Sequence, residues 1–185
     1  MLRVIIFFSL LFFGYFFIYE KQLDITSLFA DSAEKRNSAM VSKTSIEQFV
    51  EENKLENNGK VLILNFWASW CSPCMRELPS LNRLNGLYSK KGLKIITVNE
   101  DYEEQDKLIN KVSKELGLDL HVVKDSEGKY TRNFNIEGLP VTIIFKDNKL
   151  IEKINGEIDF DSNEFRRKID LLLQPSQRNS PSKNM

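Results

Sequence analysis

One stretch constrains this chain more than any other. The run Val61-Leu62-Ile63-Leu64-Asn65-Phe66 is apolar except at Asn65, and it leads through Trp67-Ala68-Ser69 into Trp70-Cys71-Ser72-Pro73-Cys74. Apolar residues at successive positions, without alternation, describe a strand buried on both faces, as in the middle of an α/β sheet. Beyond the cysteines, leucines at 78, 81 and 84 recur at helical spacing. The pair therefore sits at a strand-to-helix junction. Thiols on a first helical turn are close enough to form a disulfide, and they feel the positive end of the helix dipole. These are the chain's 2 cysteines. A bridge over so short a loop constrains little of the unfolded chain, which points to chemistry over structural stapling.

Other elements follow from periodicity and punctuation. Ser45-Ile46-Glu47-Gln48 reads as a capping-box start with Ile46, Phe49 and Val50 as its apolar stripe. The cysteine helix runs toward Lys91-Gly92, and 93–99 reads as a second strand. Residues 103–116 carry Leu108, Ile109, Val112 and Leu116 at helical spacing, with Gly117 as the stop. Then come a short strand at 120–123, a turn at Asp125–Gly128, and a helical piece through Phe134. A hairpin pairs 141–145 with 150–154, and Gly156 ends it. A last helix covers 161–173 with Phe165, Ile169 and Leu172 inward. Alternating strands and helices, then a hairpin and a helix, predict an α/β fold with a mixed sheet covered by helices on both faces. The strand before the cysteines is expected at its centre, which puts the pair where open α/β sheets place ligands.

The ends differ in composition. Val4 to Tyr19 is uncharged and apolar, preceded by Arg3 and followed by Glu20 and Lys21. It is slightly short for a membrane-spanning helix, but snorkelling of Arg3 extends it. The expected organisation is a transmembrane signal-anchor over 1–20, a tether over 21–43, the folded domain over 44–174 and a disordered tail over 175–185. A cleaved signal peptide is the competing reading of the first segment, although the small residues Ala30 and Ser32 lie far downstream. A positive N-terminus stays inside, which places the domain outside the cytoplasm, facing the periplasm from the inner membrane. Formal net charge is +0, so no nucleic-acid partner is implied.

The blocks Asn65–Cys74, Glu77 with Pro79, Asp125 with Gly128, and Gly138-Leu139-Pro140-Val141-Thr142 resemble the membrane-anchored TlpA/ResA group of thiol–disulfide oxidoreductases. The resemblance covers about residues 60–173. It implies a thioredoxin fold with an inserted strand–helix unit. It implies a cis peptide before Pro140, exposing the backbone of Leu139 to an extended substrate, and substrate contacts from Trp70, Ser72 and Pro73. It places Asn65 where cytoplasmic thioredoxins carry a buried Asp, and it gives Glu77 the role of proton acceptor for Cys74. A surface carboxylate favoured by the helix dipole is the other reading of Glu77. Trp67 reads as core, Pro79 as a helix kink, and His121, the chain's single histidine, as structural.

In that chemistry Cys71, at the helix start, is the exposed nucleophile and Cys74 the deeper resolving thiol. Trp70 covers the thiols. Only a thiolate attacks, and a helix N-terminus lowers its pKa. An ionised Glu77 opposes that lowering, which favours a reductant. The expected activity is reduction of protein disulfides, such as cytochrome c haem-binding cysteines or copper-site thiols, with electrons from a membrane donor. No cofactor beyond the Cys71–Cys74 disulfide and no metal site is expected. Two alternatives remain: a disulfide-forming oxidant, and a Cu(I) chaperone using both thiolates beside Met75.

Overall fold

The computed structural model describes residues 45–55 and 61–175. The expected anchor and tether, and the tail beyond 175, lie outside the described residues. Among the described residues no helix is long and apolar enough to cross a membrane.

Residues 45–52 form helix α1. The elements that follow are β1 (Val61–Trp67), α2 (Ser72–Tyr88), a 3-10 turn (Ser89–Lys91), β2 (Leu93–Asn99) and α3 (Gln105–Leu116). Then come β3 (His121–Lys124), α4 (Lys129–Asn133), β4 (Val141–Lys146), β5 (Lys149–Asn155) and α5 (Asn163–Leu173). The sheet order is β3-β2-β1-β4-β5. β1 and β2 pair in parallel, as do β2 and β3, while β4 runs antiparallel to both β1 and β5. The apolar strand is therefore central, as its composition requires. β3 is the edge strand beside β2.

Strand periodicity sorts β1 between two cores. Val61, Ile63 and Trp67 pack with α2, α3 and α5 in a cluster that includes both cysteines, Leu78, Leu81 and Phe165. Leu62, Leu64 and Phe66 pack on the opposite face with Ile46 and Phe49 of α1 and with Tyr130 and Phe134. Asn65 shares the first face, so its amide points toward α2.

Turn chemistry closes the elements. Gly92 and Gly117 adopt left-handed φ of 102° and 62° where β2 begins and α3 ends. Asp147 and Asn148 both take positive φ, 49° and 59°, which matches the primed turn that a two-residue hairpin needs. Ser162 caps α5 by accepting from the Phe165 amide at 3.3 Å. Ser45 is already helical, and its hydroxyl donates to the Asn133 carbonyl at 3.0 Å, tying α1 to α4.

Candidate redox site

Cys71 is the N-cap of α2, Pro73 stands in its first turn, and Cys71 and Cys74 are joined as a disulfide with Cα atoms 5.3 Å apart. The Cys74 amide donates to Cys71 Sγ at 3.2 Å. A sulfur that accepts a helix N-terminal N–H is one whose anion that N–H stabilises. The expected exposure of Cys71 is corrected: both residues are buried, with Cys71 4% exposed and Cys74 0%. Only Cys71 keeps any solvent contact, so the order of the two holds while its scale does not. Trp70 is 71% exposed, so most of its indole stands in solvent. Trp67 is core, 1% exposed, on the cysteine side of the sheet. Ser72 is exposed and Pro73 half-buried.

Glu77 is not a surface carboxylate. It is 1% exposed, with one oxygen accepting from Asn65 Nδ2 at 2.7 Å and the other from the Ile158 amide at 2.9 Å. Asn65 Nδ2 also donates to Thr142 Oγ1 at 3.1 Å. Burial pushes the Glu77 carboxyl up to about 7; the two donated hydrogen bonds oppose the rise and the nearby Glu157 charge adds to it. Residues 156–161 are fastened along α2 by Arg76–Glu157, Glu77–Ile158, Ser80–Phe160 and Arg83–Asp161. One turn past Cys74, the fold thus holds a buried carboxyl that exchanges a proton near neutrality.

Sequence reasoning passed over a second buried carboxylate. Asp101, 1% exposed, accepts from the Ser69 amide at 3.1 Å, the Ser69 hydroxyl at 2.9 Å and Asn99 Nδ2 at 2.8 Å. It ties the loop leaving β1, which carries the cysteines, to the loop leaving β2. The Asn99-Glu100-Asp101 pattern directly after an apolar strand was the available signal, because Asn and Asp at such exits bond nearby backbone. Asp101→Ala leaves buried donors unanswered and should lower stability by about 2 kcal/mol, read by urea unfolding.

The other side of the site is built from two turns. Asp125, also buried, accepts from the Tyr130 and Thr131 amides at 3.0 and 2.8 Å and from the Thr131 hydroxyl at 2.7 Å, shaping the entry to α4. Gly128 takes φ +67°, and an added Cβ would meet Arg132 Nη1 at 3.1 Å. The Leu139–Pro140 peptide is cis. Because Phe66 pairs with Val141, Pro140 lies at the same end of the sheet as Cys71. Leu139 packs against the cluster that holds both cysteines. A cavity of about 460 Å3 beside it is lined by Asn135, Glu137, Leu139, Pro140 and Lys153. His121 is exposed on edge strand β3, away from the cysteines. The residues brought together are Cys71, Cys74, Glu77 and Asn65, with Trp70, Ser72, Pro73, Leu139 and Pro140 at the same sheet end.

The chain is similar to known thiol–disulfide oxidoreductases. The chain is 37% identical over 100 residues to a thiol-disulfide oxidoreductase ResA of Bacillus thuringiensis subsp. konkukian, covering 54% of this chain and 57% of that protein. The match thus spans little more than half of the relative's length. A ResA of Oceanobacillus iheyensis is 32% identical over 132 residues, covering 71% of this chain and 67% of the other. Among solved structures, a putative thiol:disulfide interchange protein DsbE from Chlorobium tepidum superposes with a TM-score of 0.57 at 28% identity, covering 64% of this chain and 83% of that one. StoA from Bacillus subtilis, with a TM-score of 0.53 at 23% identity, covers 65% of this chain and 87% of that one, and it shares the fold. The sequence matches the AhpC/TSA family over residues 35–154, well over half of the chain, and the protein belongs to that family.

Proposed function

We propose that this chain is a thiol–disulfide oxidoreductase that reduces protein disulfides outside the cytoplasm. The observation that carries the reading is the Cys71–Cys74 disulfide at the start of α2, backed by the buried Glu77 carboxyl. The reduced pair begins the cycle. Cys71, as thiolate, attacks one sulfur of a client disulfide; a Cys71–client bond forms and the client's other sulfur leaves as a thiolate. Cys74 gives its proton to Glu77 and attacks the Cys71 sulfur, forming Cys71–Cys74 and releasing the second client thiolate. Two electrons pass to the client, and the pair ends oxidised. Leu139 offers backbone to an extended client, and Trp70, Ser72 and Pro73 flank it.

A carboxyl poised near neutrality suits a proton acceptor at ambient pH. The likeness to ResA and DsbE proteins supports the chemistry. The apolar run at Val4–Tyr19 supports a membrane anchor with the domain on the periplasmic side, and hence a membrane dithiol as electron donor. Clients of this reading are cytochrome c haem-binding cysteines or copper-site thiols.

Cys74→Ser in the native host tests it. The variant should accumulate mixed disulfides through Cys71, and their identification names the clients. The midpoint potential should lie nearer about −270 mV, as in thioredoxin, than about −120 mV, as in DsbA. A value at the oxidising end, or no trapped protein, would remove the reductase reading.

A further inference from the structure

The chain is neutral overall, yet its charge is sorted by sheet end. Five connections lie at the cysteine end: those leaving β1, β2, β3 and β5, and the one entering β4. None of the five contains Lys or Arg, and all but the cysteine loop contain Asp or Glu. At the opposite end stand Lys90 and Lys91 before β2 and Lys146 and Lys149 at the hairpin. Around the cysteines, Glu103, Glu104, Glu127 and Glu137 are exposed. Lys107 answers Glu104 at 2.9 Å, and Lys153 faces Glu137, but both lysines belong to flanking elements. Among the described residues, other nearby cations are already engaged: Lys124 with Asp106, Lys129 with Glu52, Arg76 with Glu157 and Arg132 with the Glu127 carbonyl.

Two large aromatic side chains stand open on the same rim, Trp70 at 71% and Tyr102 at 81% exposure. Each follows one member of the Ser69–Asp101 clamp in sequence, so the buried carboxylate joins the two loops that carry these rings. Aromatic faces and carboxylates attract the same kind of group, a cation on an apolar stem.

We infer that the cysteine end is a docking surface for a basic polypeptide segment, one carrying Lys or Arg close to the client's reactive sulfurs, with Tyr102 and Trp70 receiving the stems. The surface is continuous with the redox pair. The inference rests on the disulfide-exchange reading and narrows its substrate class. Electrostatic complementarity of this kind acts mainly on encounter and fades as salt rises.

Two peptides test it, identical around one internal disulfide but flanked by Lys in one and Glu in the other. With the reduced full-length chain in detergent micelles, kcat/KM for the Lys peptide should exceed that for the Glu peptide about tenfold at low salt, with the gap closing by roughly 0.5 M salt. In a Glu103→Gln/Glu127→Gln/Tyr102→Ala variant the ratio should fall toward one. Equal rates in the native chain, or a ratio unmoved by the triple substitution or by salt, would overturn the proposal. Binding of the same peptides with serines for cysteines, followed by Trp70 fluorescence on the oxidised chain, separates the two claims. Selective binding of the Lys peptide without turnover would sink the exchange reading and keep the docking surface. Unselective binding with turnover would do the reverse.

Discussion

Cys71→Ser should abolish disulfide exchange, lowering the rate by roughly three orders of magnitude or more, because a hydroxyl at that position neither forms the mixed disulfide nor ionises at neutral pH. The geometry makes the loss specific to this sulfur. Cys71 is the N-cap, its sulfur receives the Cys74 amide, and it alone of the pair touches solvent. Cys74 is 0% exposed and cannot meet a client first without rearrangement. Cys71→Ser should therefore give no covalent adduct, whereas Cys74→Ser should give adducts that a dithiol releases. The paired measurement is single-turnover exchange with a fluorescent disulfide and a non-reducing gel. Equal residual rates in the two serine variants would refute the assigned order of attack.

The second large effect concerns stability against pH. Glu77 has a folded-state pKa of about 7 against an ordinary value of 4.5, with burial as the main cause. A carboxyl that holds its proton more tightly in the folded chain favours folding while protonated. Its contribution is full below 4.5, declines as pH rises, and is lost above about 7. The shift corresponds to on the order of 3 kcal/mol. Urea unfolding of the oxidised chain between pH 5 and 8 should show a decline of that size, and Glu77→Gln should remove it. The sign is opposite to that of a surface carboxylate paired with a cation, such as Asp161 between Arg83 and Arg166, whose pKa is lowered by its partners. An unchanged slope in Glu77→Gln would show that Glu77 titrates normally in the folded chain. It would remove that carboxyl from the proton step.

The strands were legible in the sequence for a simple reason. Runs such as 61–66 and 141–145 are so apolar that only a sheet interior accommodates them, and glycines and Asp-Asn pairs punctuate them. The redox pair was equally legible, since two cysteines at helical spacing after a buried strand leave few other uses. What stayed hidden depends on residues far apart in the chain. The depth of Glu77 is set by 156–161 lying along α2, more than seventy positions later. The role of Asp101 appears only when β1 and β2 pair side by side, bringing Ser69 to it. The burial of Cys71 and the wide exposure of Trp70 beside it depend on how the loop leaving β1 packs at the helix start. Local pattern fixes which elements form. Which side chain a loop presents follows from the loop packed against it.

The five-stranded order has a consequence for how such proteins diversify. The reacting sulfurs hang from the middle strand, whose neighbours lock its position, while β3 and β5 form the margins. On the disulfide-exchange reading, substitutions in the outer connections leave that central position untouched, so client preference and redox chemistry are separately adjustable.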